Sequence, residues 1–404
     1  MTNSLRDRTY RLERIRALAG GVLENADATF IMLIAVQVLA ADNTAKGILS
    51  GGARVGMLLA PVMVLLAERI GLPSGRIAAS LLVLSAIGYA IPIFVPSLMV
   101  YVPLVMIGAA SAAMLSPFTT QIYQSNYPAH ERGKLFSRTN VIKIIASIVF
   151  GELAGRILAR DLNLYRVVLG IVAIMALVSA ACLWRVPSKP VAKTGAVNPF
   201  HGFRFFRSDR TFLVLQISWM LLGLAWSMVM PLRIDYLSNP KYGIQLGPRE
   251  VAIFVSIVPD ATRLLLSPLW GWVFDKLSFF TLRIITNFAF ALSMASFFLG
   301  GDWYSLLFSA FCIGFGASGG DLAWNLWATK LAPPEHVADY MAVHIFLTGL
   351  RGVFVPFIAF QMANTMPLST IGIIGAIIMT TSGLLLVPEY FLDKKRSKAL
   401  PDTI

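Results

Sequence analysis

The chain has 404 residues, of which 57% are hydrophobic and only 14% are charged, and its mean hydropathy is +0.71. Soluble domains are about 45–50% apolar and about 25% charged, so this composition excludes an ordinary soluble protein. The formal net charge of +13 comes from 34 basic and 21 acidic residues, and the way in which these charges are distributed decides what they mean.

Apolar runs bounded by turn residues predict twelve membrane-spanning helices, because a helix needs about 20 apolar residues to cross the hydrocarbon core. In chain order the predicted spans are 17–40, 46–68, 75–96, 98–124, 134–158, 165–186, 210–236, 250–274, 279–300, 303–328, 336–362 and 368–391. No cleavable signal peptide is evident, so the first span is expected to direct its own insertion. The predicted fold is an all-α polytopic membrane protein without a large soluble domain.

The distribution of Lys and Arg predicts the orientation of these spans. Twenty-three basic residues lie in the N-terminal arm, the C-terminal tail and alternate loops, with Arg283 counted among them at the start of the ninth span. Seven lie in the opposite loops, and four lie inside predicted spans. By the positive-inside rule both termini are expected in the cytoplasm, with the chain in the inner or plasma membrane. Topology therefore explains most of the basic charge, and no nucleic-acid partner is expected.

The longest loop predicts a division of the chain into two halves. Residues 187–209 are rich in proline and lack a long apolar run, so we expect a cytoplasmic linker between six-helix bundles at 1–186 and 210–404. Tyr127-Pro128-Ala129-His130-Glu131 precedes the fifth span, and Ala332-Pro333-Pro334-Glu335-His336 begins 205 residues later, before the eleventh. Parallel repeats of this kind indicate a transporter whose site lies at the repeat interface.

A local motif gives the sharpest match to a known family. Gly271-x-x-x-Asp275-Lys276 follows the eighth span, and Glu68 stands 207 residues before Asp275. On these residues the chain resembles the major facilitator superfamily, whose layout of two pseudo-symmetric six-helix bundles covers nearly the whole sequence. The resemblance implies alternating access, with Asp275 and Glu68 as gating residues at the cytoplasmic ends. The first-half motif is degenerate, with Val64 at the glycine position and Leu72 at a basic position.

Ionisable residues inside the predicted spans are the best candidates for a site, because each costs at least about 2.5–3.5 kcal/mol at a helix centre. The predicted substrate-binding residues are Arg54, Lys143, Arg263, Arg351, Trp226, Trp324 and Asn325. The predicted proton-coupling or counter-charge residues are Glu24, Asp27, Asp260 and Asp321. At about 1.5 Å per residue, several of these charges fall near the bilayer midplane, where alternating access requires a site. The competing interpretation is that they form structural ion pairs across the bundle.

Other signatures of chemistry are missing from the sequence. It has no Walker A motif and no His/Cys metal pattern, and Gly314-Phe315-Gly316-Ala317-Ser318-Gly319 lies inside a predicted helix, where it indicates close packing. We therefore expect no metal, no cofactor and no enzyme activity.

The leading hypothesis is a monomeric secondary transporter that moves a small organic anion and is driven by protons, with sodium as the other possible ion. The nearer alternative is a proton-driven exporter of cationic or amphipathic compounds, with the acids as ligands. The alternative from another class is a non-transporting membrane receptor or scaffold on the same fold.

Overall fold

The computed structural model describes residues 3–190, 201–332 and 337–399, and these ranges are helical almost throughout. The principal helices are α1 (Asn3–Asn25), α2 (Ile31–Gln37), α3 (Asn43–Ser50), α4 (Gly52–Ile70), α5 (Ser74–Phe94), α6 (Leu98–Ala113), α7 (Ser116–Asn126), α8 (Ala129–Arg160), α9 (Tyr165–Arg185), α10 (Phe205–Ser208), α11 (Arg210–Ser238), α12 (Pro248–Ala252), α13 (Val258–Lys276), α14 (Phe279–Gly300), α15 (Trp303–Leu331), α16 (Val337–Met362), α17 (Leu368–Leu384) and α18 (Val387–Ala399). No strand occurs in the described ranges, so the predicted all-α fold is confirmed.

Each predicted span falls on helical structure. Among the described residues, ten helical segments are long and apolar enough to cross a membrane. The two other predicted spans fall within α8 and α15. Every eighteen-residue stretch of α8 includes Lys143 and at least two other charged residues, which lowers the hydropathy of this helix. The structure is therefore consistent with twelve spans.

Local sequence signals explain where several helices begin, end or change pitch. The Asp42 carboxylate accepts a hydrogen bond from the Ala45 amide at 2.8 Å and so caps α3. Gly71 ends α4 at a φ of 69°, a left-handed conformation that glycine adopts at little cost. Residues Ala26–Phe30 form a π-helical segment between α1 and α2, and such segments occur often at functional sites. This segment contains the predicted counter-charge Asp27.

The glycine-rich stretch of α15 serves close helix packing, as the sequence indicated. A Cβ atom at Gly314 would lie 2.5 Å from the Thr262 Cβ on α13, and one at Gly319 would lie 2.9 Å from the Trp270 ring. Side chains at these positions would force the two helices apart. Small residues at such contacts let helix backbones approach closely.

The chain divides into two compact units. Unit 1 comprises residues 1–197, 231–257 and 356–361, and unit 2 comprises residues 198–230, 258–355 and 362–404. A core of unit 1 is built from small and aliphatic side chains with Phe118, whereas buried residues of unit 2 include Trp327, Phe297 and Met379. Exposed apolar residues such as Ile174 in unit 1 and Leu265 in unit 2 suit contact with lipid tails. The sequence-based division at 187–209 remains a prediction.

Candidate functional site

In unit 1 the predicted substrate cation Lys143 lies against the predicted counter-charge Glu24. The Lys143 Nζ and Glu24 Oε2 atoms are 2.6 Å apart, and both side chains keep partial exposure. The helices that carry them are held together by Asn25, whose Nδ2 donates to the Ser147 carbonyl oxygen at 2.9 Å. A Cβ at Gly21 would collide with the Lys143 backbone, so α1 and α8 approach closely at the level of the ion pair.

Asp27 and Arg54 are neighbours of opposite charge in unit 1, although their charged atoms do not approach within 4.0 Å. Asp27 is exposed in the π-helical segment, while Arg54 is half-buried on α4. The two side chains are close enough to interact electrostatically, and the Arg54 Nη1 also contacts the Met57 sulfur at 3.4 Å. Of the four predicted charges of unit 1, Lys143 and Glu24 form an ion pair, whereas Asp27 and Arg54 interact at longer range.

In unit 2 one guanidinium is shared by two carboxylates. The Arg263 Nε donates to Asp321 Oδ2 at 2.6 Å, and its Nη1 lies 3.8 Å from Asp260 Oδ1 one helical turn away. The Asp321 side chain is 45% exposed, whereas Arg263 and Asp260 are largely covered. Three predicted residues are therefore brought together, with one more negative than positive charge among them.

Arg351 lies in a separate cluster of unit 2, around Trp219. Its Nη1 donates to the Trp219 carbonyl oxygen at 2.5 Å. A Cβ at Gly223 would overlap the Arg351 guanidinium, so this position accommodates the arginine only because it is glycine. On the same helix, His344 is fully buried, and its Nδ1 donates to Gln216 Oε1 at 3.0 Å.

The structure corrects the interpretation of Arg283, which the charge count assigned to a cytoplasmic flank. Arg283 is 1% exposed within α14, and its Cζ lies 3.6 Å from the centroid of the Trp219 ring. No described carboxylate lies within 4.0 Å of its guanidinium. Both residues were missed as site candidates, although an arginine inside the apolar run Phe279–Phe290 was a visible signal.

Aromatic residues surround this cluster. Trp324 packs against Trp219 with ring centroids 5.6 Å apart, and against the His344 ring at 4.6 Å. Trp226 is half-buried and packs edge-to-face on Phe290, with centroids 4.8 Å apart. Both predicted tryptophans therefore belong to unit 2, and Trp324 directly joins the Trp219 cluster.

Of the two predicted gating residues, Glu68 has a described side chain and Asp275 does not. Glu68 is half-buried near the C-terminal end of α4 and interacts with another residue there. The side chains of Asp275 and Asn325 lie outside the described residues. In the described part of the chain, no three His, Cys, Asp or Glu side chains come together as metal ligands would.

The helices and charges described above identify the class of protein to which the chain belongs. Long apolar helices that carry paired charges in their interior are the architecture of a polytopic membrane transporter. The model of the Major Facilitator Superfamily matches residues 17–356, and the chain belongs to this superfamily. The resemblance inferred from the sequence is thus confirmed.

Solved structures share the fold at low sequence identity. The nucleoside transporter NupG is 15% identical with a TM-score of 0.73, over 96% of this chain and 99% of that chain. The partially occluded inward-open xylose transporter XylE from E. coli is 19% identical with a TM-score of 0.69, over 95% and 97%. A D-xylose–proton symporter is 20% identical with a TM-score of 0.68, over 93% and 96%. No curated protein matches the chain significantly by sequence.

Proposed function

We propose that this membrane transporter works by alternating access and moves a small organic anion together with protons. The observation that carries the proposal is the sharing of Arg263 between Asp321 and Asp260 in unit 2. Two carboxylates beside one guanidinium leave one negative charge in excess, so one of them can take up a proton while the other keeps its pairing.

Protonation of Asp321 would convert this cluster from a closed ion pair into an anion site. Asp321 is the more exposed carboxylate and makes the shorter contact with Arg263. Once it is neutral, the Arg263 N–H groups can turn to a substrate carboxylate or phosphate, which a guanidinium can bind through two parallel hydrogen bonds. Deprotonation would restore the ion pair and release the anion.

Unit 1 carries a pair that suits the same exchange, because Lys143 contacts Glu24 in the same way that Arg263 contacts Asp321. The comparison structures that transport nucleosides, xylose and xylose with protons support secondary transport of a small molecule here. The residues that we propose for substrate binding are Arg54, Lys143, Arg263, Arg351, Trp226, Trp324 and Asn325, with Glu24, Asp27, Asp260 and Asp321 for coupling and Glu68 and Asp275 for gating.

The charge distribution of the chain supports an orientation in which both termini are cytoplasmic. Twenty-three basic residues on one predicted face against seven on the other suit the inner or plasma membrane with positive loops inside. We propose that the transporting unit is a monomer with its two predicted bundles at 1–186 and 210–404. Protons are the proposed coupling ion, and replacement of the proton gradient by a sodium gradient is the matching control.

The proposal is tested by uptake into proteoliposomes. Uptake of radiolabelled benzoate is measured with and without an inwardly directed proton gradient, for the wild type and for Asp321→Asn. After subtraction of the passive entry of benzoic acid into protein-free liposomes, we expect the gradient to accelerate wild-type uptake at least tenfold and to have no effect on the variant. Asp302→Asn is the matched control, since the Ser305 amide donates to this exposed carboxylate between α14 and α15 and lowers its pKa. Wild-type uptake that ignores the proton gradient would overturn proton coupling, whether or not the uptake follows a sodium gradient.

One observation favours the alternative of a cation exporter. The carboxylates of Glu24 and Asp321 are 43% and 45% exposed, so either could contact a cationic compound. Efflux of a lipophilic cation from the same proteoliposomes, lost in Asp321→Asn, together with an absence of benzoate uptake, would support the exporter over the anion transporter.

A further inference from the structure

Arg283 is a buried cation whose partner is missing from the described part of the chain. Its side chain is 1% exposed, no described carboxylate lies within 4.0 Å, and its contact with Trp219 is to the face of the ring. Burial of an ionised group is unfavourable unless an opposite charge or hydrogen-bond acceptors compensate for the lost hydration. The cation–π contact satisfies one face of the guanidinium but none of its N–H groups.

The polar groups around Arg283 are predominantly donors. The Arg283 Nε and Nη2 atoms, the Gln216 Nε2 atom and the Trp219 and Trp327 Nε1 atoms are all buried without a hydrogen-bond partner. Gln216 uses its oxygen to accept from His344, so the free end of the amide is the donating NH₂ group. Buried donors are normally satisfied in folded proteins. Of the buried atoms without a partner, His344 Nε2 and the Asn287 Oδ1 atom are acceptors, but the donors outnumber them. Several of these donors could share a single oxyanion.

The neighbouring charges do not supply that acceptor. Arg351 donates a hydrogen bond to the Trp219 carbonyl oxygen, so Trp219 contacts two guanidinium groups. The positive charge of Arg351 repels that of Arg283. Asp321 lies against Arg263, and Asp209 accepts from the Tyr340 hydroxyl at 2.8 Å and from the Phe212 amide at 3.0 Å. The described carboxylates of this region are therefore engaged elsewhere, while two cations converge on Trp219.

We propose that Arg283, Gln216 and Trp219 form a binding site for the carboxylate of a flat aromatic acid, with Arg351 at its mouth. Arg351 and Trp324 are only half-buried, so the cluster reaches accessible surface through them. The indole of Trp324, set at 83° to that of Trp219, offers a flat apolar face beside the cationic groups. Such a pairing binds a planar apolar body at one end and a carboxylate at the other. The inference rests on the proposed transport of an organic anion. It assigns the first recognition of the carboxylate to Arg283, and the exchange at Arg263 that depends on protonation of Asp321 is a separate, later step.

Calorimetric titration of the purified full-length protein in detergent tests the site. Benzoate is the probe, acetate and inorganic phosphate test the head group alone, and benzylamine is the cationic counterpart. We expect the wild type to bind benzoate at least tenfold more tightly than acetate or phosphate, with no binding of benzylamine. Arg283→Met should bind benzoate at least tenfold more weakly, whereas Arg166→Gln, at an exposed arginine of unit 1, should bind it as the wild type does.

The stability of the unliganded variants provides a second readout. Without an anion, Arg283→Met removes an uncompensated buried charge, so its melting temperature should equal or exceed that of the wild type. Benzoate should raise the melting temperature of the wild type and leave that of Arg283→Met unchanged. If Arg283→Met does not fold, Gln216→Leu decides, with an expected loss of at least threefold in benzoate affinity.

The outcomes separate this inference from the proposed function. Equal benzoate affinity in the wild type and Arg283→Met overturns the Arg283 site but leaves anion transport standing. Phosphate binding without benzoate binding overturns the aromatic carboxylate as the ligand class. Binding of benzylamine without binding of any anion overturns both the site and the proposed anion transport.

Discussion

The buried ion pair of Lys46 and Asp235 in unit 1 should be among the most sensitive points of the structure. The Lys46 Nζ and Asp235 Oδ1 atoms are 2.6 Å apart, and the two side chains are 4% and 0% exposed. Asp235 also accepts from Asn239 Nδ2 at 3.0 Å, whereas the other acceptor near the ammonium, Asn43 Oδ1, is 3.4 Å away. Removing either charge therefore leaves the other buried, with little access to water and without its oppositely charged partner.

The expected magnitude follows from that burial. Removal of one partner of a buried ion pair costs about 3–5 kcal/mol of unfolding free energy, because the remaining charge is uncompensated. We therefore expect Asp235→Leu and Lys46→Met each to destabilise the protein by about that amount. The double variant leaves no charge behind, and apolar replacement of both partners is often nearly neutral. The coupling energy between the two substitutions should therefore be several kcal/mol, with the double variant close to wild type.

Unfolding by SDS in mixed micelles, followed by tryptophan fluorescence, measures these free energies. Arg156→Ala is the matched control in the same unit, because Arg156 pairs with Glu152 at 2.5 Å while its side chain is 62% exposed. Exposed pairs contribute about 0–1 kcal/mol, so this variant should differ little from wild type. A double variant whose cost equals the sum of the two single costs would refute the reasoning, since no uncompensated charge would then explain them.

Three further substitutions test local features. Gly223→Ala places a methyl group where the Arg351 guanidinium lies, so benzoate affinity measured by calorimetry should fall about tenfold, as expected for the loss of about 1.4 kcal/mol. Ala40→Gly should raise the unfolding free energy by up to about 1 kcal/mol, because Ala40 has a φ of 47°, which favours glycine. Asn25→Ala should lower it by about 1–3 kcal/mol, because the buried Ser147 carbonyl loses the Asn25 donor at 2.9 Å.

Each of these substitutions has a matched control. Gly170→Ala meets only a distant side-chain atom at 3.9 Å and should leave benzoate affinity unchanged. Ala41→Gly lies next to Ala40 but outside the left-handed region, so it should destabilise where Ala40→Gly stabilises. Asn163→Ala removes an exposed amide and should cost less than Asn25→Ala. Equal effects in a variant and its control would contradict the corresponding explanation.

The fold could be predicted from the sequence because hydropathy is a local property. Each span needs its own apolar length, so runs of residues such as 165–186 and 368–391 mark helices without knowledge of their neighbours. Candidate charges could be predicted for the same reason, since an ionisable residue inside an apolar run is visible in one dimension. Lys143 and Arg263 were found in this way, but their partners depend on which helices pack together.

Arg283 shows where that reasoning fails. It is the fifth residue of α14, and a count that sorts charges by distance from a helix end assigns it to the flank. Its long side chain instead packs against the ring of Trp219, a residue from a helix far away in sequence. Helix phase and tertiary contacts decide whether a charge near a helix end reaches solvent or is buried. Neither is available from the spacing of residues along one helix.

The charges around the two clusters of unit 2 also fix the sign of coupling that we expect. They comprise three arginines and two aspartates, namely Arg263, Arg283, Arg351, Asp260 and Asp321, with a formal sum of +1. One bound monoanion brings this sum to zero, whereas protonation of an aspartate before binding raises it to +2 and strengthens the attraction for the anion. By linkage, a bound anion must in turn favour the protonated aspartate, so proton and anion bind cooperatively.

Symport requires that both ligands bind cooperatively to the transporter from the same side of the membrane, whereas exchange requires that they compete. Benzoate affinity should therefore rise as pH falls, and Asp321→Asn, which carries a permanently neutral side chain, should bind benzoate tightly at every pH.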